Sequence, residues 1–137
     1  MFELTLDAVV ENLDEVLAFL DQHLEELDCP MRLQLQLDVA IEEIFVNVAH
    51  YAYAPNKGDV TVQFSSEDDV ATITFIDSGV PYDPLAKPDP DITLSAEQRE
   101  IGGLGIYMVK KTMDEMRYEY RDGQNVLTMV KKLHADA

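Results

Sequence analysis

Hydrophobic residues change their spacing along this chain in a set order, and that order leaves few architectures open. Phe2, Leu4 and Leu6 alternate with polar residues, as on a short half-buried strand. Leu13, Val16, Leu17, Leu20, Leu24 and Leu27 then recur at helical spacing, and so do Leu33, Leu37, Ile41, Ile44 and Val48. Two amphipathic helices are predicted, the first of about 20 residues and the second running from Pro30 to about His50. Asp28-Cys29-Pro30 separates them, and a proline is well placed where a helix opens because its missing N–H costs little there. Past the loop Ala54-Pro55-Asn56-Lys57-Gly58 the period drops to two, in Val60 to Phe64 and again in Val70 to Ile76. The acidic connector Ser65 to Asp69 makes these two runs a hairpin. From Pro81 to Glu100 the sequence holds four prolines and no period, and so long an unpatterned stretch inside a compact domain is usually functional or mobile.

Gly102-Gly103-Leu104-Gly105 opens a third helix, with Ile106, Val109, Met113 and Met116 facing inward. Arg117 to Arg121 and Val126 to Lys132 close the chain as two strands around Asp122-Gly123-Gln124-Asn125. The order is strand, two helices, hairpin, loop, helix, hairpin. It predicts an α+β, two-layer α/β sandwich, with three helices covering one face of a mainly antiparallel mixed sheet. No internal repeat and no second domain is visible, so residues 1–137 read as one domain.

Charge restricts the partners. The chain carries 27 acidic and 10 basic residues, a net charge of −17, and such a field repels nucleic acid and anionic membranes. It suits a basic protein partner, and it is equally what solubility alone would require. An anionic ligand would need local help from helix N-termini, backbone N–H groups or a cation. Cys29 is the single cysteine, so no intramolecular disulfide forms, which fits a reducing compartment. The first residues have no basic region followed by an apolar run, and no stretch approaches the roughly 18 apolar residues of a membrane span. A cytoplasmic protein is expected.

Three clusters carry candidate chemistry. Glu43 and Asn47 are four apart on the second helix and share a face, where an acid and an amide can orient a water or help to hold a divalent cation. A solvated polar face would look the same. Asp77-Ser78-Gly79 ends an apolar strand abruptly, placing a carboxylate that can accept from an exocyclic amine beside a glycine that lets a flat ring approach. A plain turn would look the same. Gly102-Gly103-Leu104-Gly105 begins a helix, where free N–H groups and the dipole favour phosphate. It has neither the dinucleotide-binding glycine spacing nor the Lys-Ser or Lys-Thr of a P-loop.

Taken in order, these segments resemble a known family. Ala40-Ile41-Glu42-Glu43-Ile44-Phe45-Val46-Asn47 resembles the N box of the GHKL ATPase superfamily, which includes gyrase, histidine kinases and mismatch-repair ATPases. Asp77-Ser78-Gly79-Val80-Pro81-Tyr82-Asp83-Pro84 is similar to its first glycine box, in the form typical of anti-sigma-factor serine kinases. Ile101 to Val109 resembles the second glycine box, and Asn125-Val126-Leu127-Thr128 the last strand motif. The resemblance spans residues 40–128 and implies the Bergerat-type ATP-binding fold with ATP and Mg2+ as ligands. It implies Glu43 as general base and Asn47 as magnesium ligand. Asp77 would accept from the adenine amine, with Gly79 giving the base room. The backbone of Gly102, Gly103, Leu104 and Gly105 would meet the phosphates, and Thr128 would support the adenine pocket beside Asp77. A lid would cover the nucleotide from about Leu85 to Ile101.

Two departures stand out. Tyr51 occupies the position four after Asn47, where the serine-kinase relatives often carry histidine; His50 is adjacent but turned about 100° away on a helix. Within the lid only Lys87 and Arg99 are basic, and Arg99 can hold phosphate oxygens bidentately. The resemblance implies a serine/threonine protein kinase of the anti-sigma type. Its substrate would be a small STAS-like anti-sigma antagonist, its second partner a sigma factor, and it would form a homodimer through the first strand and helix. No phosphoacceptor histidine domain is read in these residues, which sets a complete histidine kinase aside. The alternative is a nucleotide-gated binding module without phosphoryl transfer, in which ATP orders the lid and changes a partner-binding face.

Overall fold

The computed structural model describes residues 1–53, 56–86 and 104–134. Five strands and three helices follow one another as β1 (Phe2–Asp7), α1 (Leu13–Glu26), α2 (Met31–Tyr51), β2 (Asp59–Glu67), β3 (Val70–Asp77), α3 (Leu104–Thr112), β4 (Glu115–Arg121) and β5 (Gln124–Lys132). The strands form one sheet in the order β1-β2-β3-β5-β4. All four ladders are antiparallel, so the described strands contain no parallel pair and the sheet is not mixed. The chain leaves β3, passes through α3 to the far edge, and β5 then returns into the gap between β3 and β4.

Alternation sorts the two faces. Val60, Val62 and Phe64 of β2, Ala71, Ile73 and Phe75 of β3, and Leu127 and Met129 of β5 are buried on one side. They pair across the ladders as Val62 with Phe75, Phe64 with Ile73, Phe75 with Leu127 and Ile73 with Met129. The helices cover this face with Val16, Leu20 and Leu24 of α1, Leu37, Ile41, Ile44 and Phe45 of α2, and Ile106 and Val109 of α3. Each such side chain contributes about 1.5–3 kcal/mol relative to exposure, which is why the patterned face fixes the layer order. His23 joins this core unannounced by the sequence: its ring stacks 3.9 Å from Phe2 and 5.5 Å from Phe64, tying β1 to α1.

Several boundaries differ from the sequence expectation. β2 runs through Ser65 to Glu67, because the hairpin turns on Asp68 and Asp69 alone, both at positive φ (52° and 66°). Two-residue hairpins need that backbone, and aspartate tolerates it better than most residues. Asp122 and Gly123, at φ 55° and 78°, turn the β4–β5 hairpin in the same way. α1 spans 14 residues because a 3-10 turn, Val10–Asn12, precedes it. Met116 belongs to β4 rather than to α3, which stops at Thr112. Lys131 then seals the end of α3, its Nζ donating to the Thr112 carbonyl at 2.6 Å, where a cation favours the helix dipole.

Candidate active site

The helix-covered face ends in a row that is polar on β3 and β5. Val60, Asp77 and Asn125 lie opposite one another on β2, β3 and β5, and Asp77 and Asn125 are both buried. Above this row stands the C-terminal half of α2. Between them is a cleft of about 430 Å³ including its open mouth, lined by Asn47, Tyr51, Asp77, Tyr82, Tyr118 and Asn125 over an apolar floor of Ile44, Phe75 and Leu127. The mix of apolar walls with a few convergent polar groups is typical of small-molecule sites.

Asn47 and Asp77, separated by 30 residues of sequence, thus share one cleft. Among the described residues the Nδ2 of Asn47 is buried without a hydrogen-bond partner, an exception among buried polar atoms. Asp77 is held from one side: its Oδ1 accepts from the Gly79 N–H at 2.9 Å and from Asn125 Nδ2 at 2.9 Å. Tyr53 anchors the strand ends beneath it. Its hydroxyl donates to the Asp59 carbonyl at 2.6 Å and accepts from the Ser78 N–H at 2.7 Å, and burial raises its pKa.

Glu43 stands one turn before Asn47, half-buried, with its carboxylate against the Cα of Gly105 in the first turn of α3. A side chain at Gly105 would overlap that carboxylate, so the missing Cβ is what lets α3 approach α2 here. An acid at a helix N-terminus is favoured by roughly 0.3–1 kcal/mol. Gly79 makes a different close approach. A Cβ there would run into the Ala52 backbone, whose carbonyl accepts from the Val80 N–H at 2.9 Å. Its bareness admits the end of α2.

Thr128 lies elsewhere. With Leu127 and Met129 turned inward, Thr128 points to the open face of the sheet and meets Thr74, the two hydroxyls 3.5 Å apart. Beside Asp77 the structure puts Asn125, which sequence reasoning missed although strand parity points to it. Gly102 and Gly103, with Lys87, Arg99 and residues 87–101 of the lid, lie outside the described residues; Leu104 begins α3. Among the described residues no helix is long and apolar enough to cross a membrane.

A buried acid on the sheet thus faces an amide on α2, with a second acid at a helix N-terminus. The profile of the histidine kinase-like ATPase domain matches residues 6–131, and the chain belongs to that family. It is 30% identical over 95 residues to the serine-protein kinase RsbW of Bacillus cereus strain B4264, and equally to that of Bacillus mycoides strain KBAB4. Each alignment covers 66% of this chain and 59% of the relative, so the match spans under two thirds of those kinases. Among solved structures, the RsbU and RsbW domains of Rv1364c from Mycobacterium tuberculosis superpose with a TM-score of 0.65 at 19% identity, covering 100% of this chain and 34% of that one. The Acinetobacter baumannii histidine kinase AdeS gives 0.50 at 11% identity, over 98% and 69%. At those identities the two structures speak for the fold.

Proposed function

We propose that the chain binds Mg·ATP in the cleft between α2 and the end of the sheet and passes the γ-phosphoryl group to a serine or threonine of a partner protein. The observation that carries this reading is the convergence of Asn47 and Asp77 on one cleft, with Glu43 a turn away at the start of α3. In this reading Asp77 accepts from the exocyclic amine of adenine, and the apolar floor takes the ring. The N-terminal turn of α3 offers backbone N–H groups to the phosphates. Glu43 takes the proton of the attacking hydroxyl.

Magnesium fits what is present. The side-chain amide of Asn47 has an unpartnered buried atom, and turning the amide over presents its oxygen instead. Among the described residues no three His, Cys, Asp or Glu side chains cluster to hold a metal, so the cation would share Asn47 with phosphate oxygens, as magnesium does in nucleotide sites. Bound there, it would neutralise phosphate charge in a protein of net charge −17.

The partner in this proposal is a STAS-like antagonist protein, with a sigma factor as the competing ligand and a cytoplasmic setting. The RsbW kinases to which the chain is similar support the serine-kinase reading. One observation favours gated binding without transfer instead: the Glu43 carboxylate is packed against α3 rather than standing free in the cleft. Incubation with radiolabelled ATP and a STAS-like antagonist separates the two. The kinase reading expects label on the antagonist, lost in Glu43→Ala while ATP binding stays within about threefold. Labelling by Glu43→Ala at the full rate would remove the general-base role, and no labelling by the intact protein would favour gating.

A further inference from the structure

Asn125 uses all four hydrogen bonds of its amide. Oδ1 accepts from the Tyr82 N–H at 3.1 Å and from the Tyr118 hydroxyl, while Nδ2 donates to Asp77 Oδ1 at 2.9 Å and to the Val80 carbonyl at 2.8 Å. Three of these partners cannot change role. A backbone N–H only donates, and a carbonyl and a carboxylate only accept, so the amide has one orientation. Tyr118, whose hydroxyl can do either, must then donate. Burial raises its pKa, with the nearby carboxylates of Asp83 and Asp77 adding to the effect, so the proton stays in place.

We infer that Tyr118 is a positioning residue for recognition of the base, acting through Asn125 on Asp77. Its hydroxyl and the Tyr82 N–H hold Oδ1 of Asn125 from one side, which keeps Nδ2 directed at Asp77. With Oδ1 of Asp77 engaged by both Asn125 and Gly79, Oδ2 is the atom left to accept from a ligand. The same amide pins Val80 and Tyr82, so the wall of the cleft and the acceptor within it are set together. Tyr118 reaches Asn125 diagonally across the β4–β5 ladder, where it stands opposite Leu127.

This inference rests on the reading of Asp77 as the acceptor for the base amine, and the test is chosen to separate the two. Calorimetric Kd values are measured for ATP and for purine riboside triphosphate, which lacks the 6-amino group, on the intact protein and on Tyr118→Phe. The intact protein should prefer ATP. Tyr118→Phe should weaken ATP by about three- to tenfold, the usual value of one hydrogen bond, and weaken the amine-free nucleotide by clearly less. Equal weakening of both nucleotides would overturn the inference, since a merely structural loss cannot tell the amine from its absence. Equal affinity of the intact protein for both would overturn the Asp77 reading and this inference with it. If Tyr118→Phe folds poorly, the side-chain amide resonances of Asn125 in the intact protein decide the matter: they should shift with ATP and much less with purine riboside triphosphate, and equal shifts would count against the inference.

Discussion

A methyl group added at Gly105 or at Gly79 meets two different kinds of neighbour. At Gly105 it meets the far end of the Glu43 side chain, which can swing aside; at Gly79 it meets the Ala52 backbone, which cannot. Gly105→Ala should therefore cost less than about 1 kcal/mol of stability while displacing the carboxylate and slowing transfer. Gly79→Ala should cost about 1–3 kcal/mol, the usual price of overpacking. Urea unfolding of the two variants checks the contrast, and equal losses would contradict it. That Glu43 and Asn47 share a helix was legible in the sequence, because a spacing of four fits the helical period. Asn125 was within reach by the same kind of argument, since Leu127 and Met129 turn it inward and leave Thr128 outside. Tyr118 was not, because its role depends on a diagonal contact that exists only once the β4–β5 register is set.

Between helices α1 and α2 lies a pair of acids that makes their packing depend on pH. Asp38 of α2 faces Asp21 of α1, and among the described residues no N–H or hydroxyl donor reaches the buried Oδ1 of either. Burial, a hydrogen bond from the pair and the Asp21 charge raise Asp38 from 3.8 to about 7. Cys29, the nearest thiol, is pushed up by burial and by Asp38, Asp21 and Asp69. A raised carboxyl pKa means that the folded chain keeps a proton which the unfolded chain releases, so stability is fully present below pH 3.8 and is lost as pH rises through about 7. Asp38→Asn should flatten that decline between pH 4 and 7, read as Tm against pH; an unchanged slope would contradict it. The His134–Asp69 contact at 2.6 Å also titrates, with His134 raised by its bond to Asp69, but its share is lost only above the ordinary histidine value of 6.5. At this scale the sequence placed the five strands and three α-helices of the described residues, missed the 3-10 turn at Val10–Asn12 and misplaced several ends. The pattern sets the buried face, whereas ends depend on local backbone, as in the two positive-φ aspartates that shorten the β2–β3 connector.

Across the whole molecule, one face of an antiparallel sheet is covered by three helices, and the cleft opens where α2 and the ends of β3 and β5 meet. This layered arrangement followed from the order of hydrophobic periods. The absence of a parallel ladder among the described strands did not, because the period of a strand says nothing about its direction. A net charge of −17 opposes an anionic ligand, so the proposed nucleotide binding would depend on magnesium and on fixed N–H groups rather than on the overall field. The central claim is that Asp77 and its cleft bind ATP. Titration calorimetry with Mg·ATP, run on the intact protein, on Asp77→Asn and on Thr128→Val, tests it most directly. Micromolar binding that falls by tenfold or more in Asp77→Asn and stays within twofold in Thr128→Val is the predicted result. Undiminished binding by Asp77→Asn, or none by the intact protein, would contradict the account.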